Sequence, residues 1–210
     1  MPEHVEEFLK ALTANRVGNA CYFAYQDEQN LVFEKSLTDG LLSPPTSISA
    51  ARPNTAATYF ADRDEKRYAY FLGPGDVLQG AYYNAGNDKW DVTDLGDSNI
   101  VTHGDSKLAA SKASGPNEDL ALYFQDTSGS LKEIVFDGLG RPGQPRGIPP
   151  ASPAVGTNLW ALKTLEGFVR LFYIGKDSAI HQSVYGDGEW SGECSVLAVF
   201  RLALTRLPNQ

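Results

Sequence analysis

Few side chains in this 210-residue chain have the makings of a reaction centre. Its three histidines, His4, His103 and His181, are the natural acids and bases near neutral pH. They are scattered. His4 lies near the start, His103 falls in a Gly- and Asp-rich connecting stretch, and His181 directly precedes Gln182, so strand alternation sends those two to opposite faces. With Cys21 and Cys194 far apart in the chain, nothing has the spacing of a metal site, and two free thiols are expected rather than a disulfide. There is no nucleophile elbow of the Gly-x-Ser-x-Gly type and no phosphate loop, and no cofactor is expected. The charged candidates Arg170, Glu34 and Glu133 read either as solvated strand positions or as ligands, and Trp90, Trp160 and Trp190 read first as packing residues.

The elements that must position these residues are strands. Leu120–Phe136 (LALYFQDTSGSLKEIVF) alternates apolar side chains through two runs separated by a polar turn, which is a hairpin. Tyr22–Glu34, Tyr68–Gly80 and Arg170–Gln182 superpose on Ala121–Glu133 without a gap. Before each hairpin comes an Ala-rich apolar segment (LKALTA, TAATYFA, KLAASKA, LWALKT). After it comes a Gly-bearing segment such as NAGNDKWDVTDLG, DGLGRPGQPRG or YGDGEWSGE. Four strands per repeat at a period of roughly 45 to 50 residues predict an all-β chain, a β-propeller of about four blades plus a partial fifth C-terminal repeat. The expected organisation is a single domain over 1–210, with repeats at about 6–50, 51–101, 102–153 and 154–196 and a remnant at 197–210. SPPTSISAARPNT, DSNIVTHGDS and GIPPASPAVGT read as connecting loops, Gly-Asp pairs at 75–76 and 186–188 as tight turns, and Val5–Leu12, whose spacing also fits a short helix, as the first strand by its position ahead of the first hairpin.

A net charge of −8 argues against nucleic acid or an anionic membrane as partner and favours a neutral or cationic ligand. No apolar run reaches the roughly 20 residues of a spanning helix, and MPEHVEEFLK lacks the form of a secretory signal, so a cytoplasmic protein is expected. The incomplete last repeat could close on the N-terminal sequence or be covered by a second copy in a homodimer.

The stretches KLAAS, LALYFQDTSGSLKEIVFDG, NLWAL and VRLFYIGKDSAIHQSVYGDGEW resemble the repeats of the fungal fucose-specific lectins, six-bladed propellers. The resemblance implies sugar pockets between adjacent blades. There an Arg on the second strand and a Glu on the third bind hydroxyls, and aromatic rings cover the apolar face of the pyranose. At the Arg position this chain has Tyr22, Tyr68, Ala121 and Arg170, and at the Glu position Glu34, Gly80, Glu133 and Gln182, so no repeat keeps both. The residues the resemblance offers as ligand-binding are Arg170, Gln182, Tyr185, Trp190, Glu133 and Glu34, with the fourth repeat nearest the pattern.

Two functions follow. One is lectin-like binding of a neutral, fucose-type saccharide at degenerate inter-blade pockets. The other is a metal-free enzyme on a co-opted propeller, a cyclase, cycloaddition catalyst or isomerase for a small apolar metabolite. Tyr22, Tyr68 and His181 are its candidate catalytic groups, because aromatic walls with few donors suit a folded apolar reactant.

Overall fold

The structure, a computed structural model, describes residues 12–61, 66–114, 120–137, 140–149 and 151–195. The helix-or-strand segment before Leu12, His4 and the expected partial fifth repeat at 197–210 lie outside the described residues. The chain divides into two compact units, 1–102 and 103–210.

Each unit holds two antiparallel sheets, as the alternating strands predict. In the first unit, β1 (Thr13–Val17), β2 (Ala20–Gln26), β3 (Leu31–Thr38) and β4 (Leu41–Leu42) follow in order, and β5 (Thr46–Ala50) pairs with β3. Its second sheet runs β6 (Ala57–Ala61), β7 (Arg67–Leu72), β8 (Leu78–Asn84), β9 (Lys89–Val92). In the second unit, β10 (Ala109–Lys112), β11 (Leu120–Gln125), β12 (Leu131–Val135) and β13 (Arg146–Gly147) form one sheet, and β14 (Trp160–Lys163), β15 (Val169–Ile174), β16 (Ile180–Gly186) and β17 (Glu189–Ser195) the other.

The matched intervals land in the same register in all four sheets. Glu34 stands opposite Ala24, Gly80 opposite Tyr70, Glu133 opposite Tyr123 and Gln182 opposite Phe172. The turns behave as their sequences ask, with Gly75 and Asp76 at φ 70° and 61°, and Asp187 and Gly188 at 53° and 89°. Asp27 and Asp126 fix two of the hairpin loops by accepting backbone N–H bonds from Leu31 (2.8 Å) and Ser130 (3.0 Å).

One reading of the sequence is corrected here. The breaker-rich SPPTSISAARPNT is not all loop: past the two prolines, Thr46–Ala50 forms β5 and buries Ile48. Pro44 and Pro45 cannot donate to a ladder, but the alternating residues after them can. The first strand among the described residues is Thr13–Val17, which takes in the last two residues of LKALTA, residues 9–11 of which lie outside the described residues, and TAATYFA, KLAASKA and LWALKT supply β6, β10 and β14.

Within each unit the leading strands face each other, β1 on β6 and β10 on β14. The small side chains Ala24, Ala61, Ala69 and Ala81 let the sheets of the first unit approach around Phe71, and Ala109, Ala113 and Ala121 do the same around Leu171 and Tyr173 in the second. Each unit also has a polar clamp. Gln26, at the end of β2, donates to the carbonyl of Arg52 (2.7 Å) and accepts from the N–H of Thr55 (3.2 Å), ahead of the next sheet. Gln125, at the same register position on β11, donates to the carbonyls of Gly129 (2.8 Å) and Ala154 (3.1 Å) and accepts from the N–H of Gly156 (2.9 Å). The corresponding residues of the other two sheets are Leu72 and Ile174. Cys21 carries a free thiol, and no helix among the described residues is long and apolar enough to cross a membrane.

Replacing Gln125 by Leu, the residue type found at position 72, keeps the volume but takes a partner from the buried carbonyl of Gly129 and from the half-buried Ala154 and Gly156, of which Ala154 keeps its bond from the Thr157 N–H. Urea unfolding is expected to show a loss of about 2–4 kcal/mol, at roughly 1–3 kcal/mol per unsatisfied group; a change below about 0.5 kcal/mol would show that the clamp is not needed.

Candidate functional site: buried carboxylates between paired sheets

Side chains alternate along a strand, so Glu34 on β3 and Glu133 on β12 point out of their own sheets at the sheet that follows. Both are buried, and a buried carboxylate must be surrounded by donors. The two units meet this need with different residues.

In the first unit, the hydroxyl of Tyr59 on β6 donates to Glu34 Oε1, and Arg67 Nη1 at the start of β7 donates to Oε2 at 2.7 Å. The pair is enclosed, with side-chain exposures of 12 % for Arg67 and 5 % for Glu34. Aromatic rings surround the guanidinium. Its central carbon lies 3.4 Å from the ring centre of Tyr83, 5.0 Å from Tyr22 and 5.9 Å from Trp90. Burial raises the Glu34 carboxyl above its ordinary value, against the opposing pull of Tyr59, Arg67 and Trp90. Burial and then the neighbouring Glu34 push the Tyr59 phenol up, so it remains a donor. Burial, the largest single influence, disfavours the charge on Arg67, but Glu34 together with Tyr59, Tyr22 and Tyr83 outweighs it and the guanidinium is held more firmly protonated.

In the second unit, Glu133 Oε2 accepts from Arg146 Nε at 2.5 Å and from the indole N–H of Trp190 at 3.1 Å, and Oε1 accepts from the Tyr123 hydroxyl at 3.3 Å. Arg146 stands beside Glu133 on the paired strand β13, in the place that Thr46 holds next to Glu34. Trp190 reaches in from β17 of the other sheet. Tyr185 packs edge-on against Trp190, with ring centres 5.5 Å apart, and lies 5.1 Å below the Arg146 guanidinium. This seam is open on one side: the Arg146 side chain is 47 % exposed and that of Glu133 3 %. Burial, then Glu133, pushes the Tyr123 phenol up as well.

The structure therefore brings together Glu133, Tyr185 and Trp190, and places Glu34 in a separate seam. Arg170 donates to Gln182 at 3.1 Å, but the pair lies on the opposite face of its sheet from Tyr185, so the fourth-repeat set is split between two faces. Trp160, read as a packing residue, is instead 72 % exposed. It borders an apolar depression of about 310 Å³ on the Arg170 face, with Phe172, Ile174 and Ile180. At the Glu position of the second repeat, a side chain on Gly80 would meet the Tyr70 ring at 2.8 Å, so this place is already filled.

Of the candidate catalytic groups, Tyr22 stacks on Tyr59 at 6.2 Å, and Tyr68 stands between Phe60 and Tyr82 in its own sheet. His181 bonds Asp177 at 2.8 Å and stacks on Tyr173. These contacts do not assemble an acid, a base and a shared cavity, so the enzyme reading finds no support. Among the described residues, no group of three or more His, Cys, Asp or Glu side chains is placed to hold a metal ion.

Sequence reasoning missed Arg67 and Arg146. Arg67 is one residue before the position compared across repeats, and strand alternation turns it to the opposite face, toward the preceding sheet. That adjacency was the available signal. Arg146 lies in a two-residue strand within a Gly- and Pro-rich stretch, and no periodicity marks it.

No protein-family model matches the sequence, and no curated protein matches it. Solved structures do. The structure is similar to AofleA from Arthrobotrys oligospora, with a TM-score of 0.74 and 18 % identity over 87 % of this chain and 56 % of that one. It is similar to the Aleuria aurantia lectin, solved in complex with a fucosylated disaccharide, with a TM-score of 0.72 and 20 % identity over 88 % of this chain and 63 % of that one. The BP39L lectin of Burkholderia pseudomallei matches with a TM-score of 0.67 at 16 % identity, over 89 % of this chain and 56 % of that one. The Aleuria lectin is described as a six-bladed β-propeller with a fucose recognition mode of its own. The resemblance read in the sequence is thus borne out in the fold, an all-β propeller architecture, and the chain spans 56–63 % of the length of these three proteins.

Removing Arg67 leaves the enclosed Glu34 carboxylate with Tyr59 and no cation, whereas removing Arg146 leaves the Glu133 carboxylate with Trp190 and Tyr123 beside solvent. Chemical denaturation is expected to show a loss of about 3–5 kcal/mol for Arg67→Ala, against roughly 1–2 kcal/mol for the half-exposed Arg146→Ala. The reverse order would contradict the contrast between the seams.

Proposed function

We propose that the chain is a single lectin-like propeller domain over 1–210 that binds a neutral, fucose-type saccharide at the seam between β10–β13 and β14–β17. The supporting observation is the half-open cluster of Arg146, Tyr185 and Trp190 around Glu133. Guanidinium N–H groups donate to sugar hydroxyls, and aromatic rings supply a flat surface for the C–H face of a pyranose. Glu133 is too deeply buried to meet the sugar; it acts through Arg146 and Trp190, fixing the orientation of both. A neutral ligand also suits a chain with a net charge of −8, where an anionic one would be repelled. The similar lectin from Aleuria aurantia has been solved with α-methyl-L-fucoside, which makes this sugar the first probe.

The test is calorimetric titration with α-methyl-L-fucoside. Saturable binding with a dissociation constant of about 1 mM or tighter is expected, lost in Arg146→Ala and in Trp190→Ala. A flat titration of the intact protein removes the saccharide reading. Binding that survives Arg146→Ala and disappears in Arg170→Ala would move the site to the other face of the fourth sheet.

A further inference from the structure

The seam of the first unit has the composition of a binding site and is already full. Tyr22, Tyr83 and Trp90 form walls around one guanidinium, and a buried carboxylate closes the floor. An aromatic box with an anion at its base selects planar or alkylated cations, because the ring faces are electronegative and such ions shed water easily. We infer that this seam is a cation cage whose guest is the chain's own Arg67, and that it accepts a small guanidinium or alkylammonium ion in place of that side chain.

Two observations separate this from an ordinary buried ion pair. The first is that the fold does not require an arginine here. In the second unit the register position of Arg67 is taken by Val169, opposite Lys163 as Arg67 is opposite Ala61, and the carboxylate is served from the other side by Arg146. The equivalent of Arg146 in the first unit is Thr46, whose hydroxyl carries no charge. The cage is therefore made by the side chains Tyr22, Tyr83, Trp90 and Glu34, not by the ladder. The second concerns the donors. Trp190 bonds Glu133 through its indole N–H at 3.1 Å, whereas the buried N–H of Trp90 is aimed toward Glu34 without closing to ordinary hydrogen-bond distance. The carboxylate of the first seam thus takes its close hydrogen bonds from Tyr59 and from the cation that occupies the cage. Tyr83, whose ring lies closest to the guanidinium, is itself tethered through its hydroxyl to Asp88, which keeps that wall in place when the guest changes. This inference is independent of saccharide binding in the second unit.

The experiment is chemical rescue of Arg67→Ala, a variant that removes the guest and leaves the walls. Methylguanidinium chloride, at a tenfold excess over its dissociation constant, is expected to raise the melting temperature of Arg67→Ala by about 4 °C. It should leave the intact protein unchanged. Urea, which has a similar planar shape without the charge, should not rescue, and Glu34→Gln/Arg67→Ala should lose the response. If Arg67→Ala is insoluble alone, refolding yield with and without methylguanidinium gives the same readout. Equal effects of methylguanidinium and urea, equal effects on the variant and the intact protein, or no recovery of Arg67→Ala by either readout would overturn the cage.

Discussion

A carboxylate that leaves water for the space between two sheets has to recover its hydrogen bonds from the sheet that covers it. That requirement governs much of both units. Glu34 and Glu133 sit at the same register position of two sheets and look toward the sheet that follows, and each neighbour answers with an aromatic donor. Tyr59 and Trp190 come from covering sheets, on different strands. A sheet packed on apolar contacts alone could slide along its neighbour, whereas one whose donors must meet a fixed carboxylate cannot.

The sheets thus occur as pairs. The first and third carry both the carboxylate and a clamping glutamine, Gln26 or Gln125; the second and fourth carry Gly80 or Gln182 with Leu72 or Ile174. Polar anchoring runs from the leading sheet of each pair to the trailing one. Where the pairs differ is in the origin of the cation. Arg67 comes from the trailing sheet and is enclosed, while Arg146 comes from the leading sheet and stays half exposed. One seam is a finished piece of interior, and the other keeps a polar and aromatic surface in contact with solvent.

Much of this could be read from the residues. The four hairpins and their shared register followed from period-two alternation and from gapless matching of the segments, since a one-residue slip would turn every side chain to the wrong face. The fourth strands were less legible. β5 hides behind Pro44-Pro45, and β13 is only two residues long, so neither has room for a pattern. Comparing one column across repeats also assumed that the arginine partner of each glutamate would come from its own hairpin. Contacts between sheets link residues with no fixed spacing, which is why Arg67 beside Tyr68 was passed over. Trp160 failed for a related reason: its burial would need a partner for that face of the sheet, and sequence alone does not supply one.

The central claim is that a carboxylate of one sheet and an indole of the next are energetically coupled across the seam. A double-mutant cycle joining Glu133→Gln and Trp190→Phe, followed by urea unfolding, measures that coupling directly. The structure predicts a favourable interaction of about 1.5–3 kcal/mol, the range for a hydrogen bond to a charged group. A coupling energy within about 0.3 kcal/mol of zero would mean that the two side chains act independently, and the seam would have to be held by apolar packing alone.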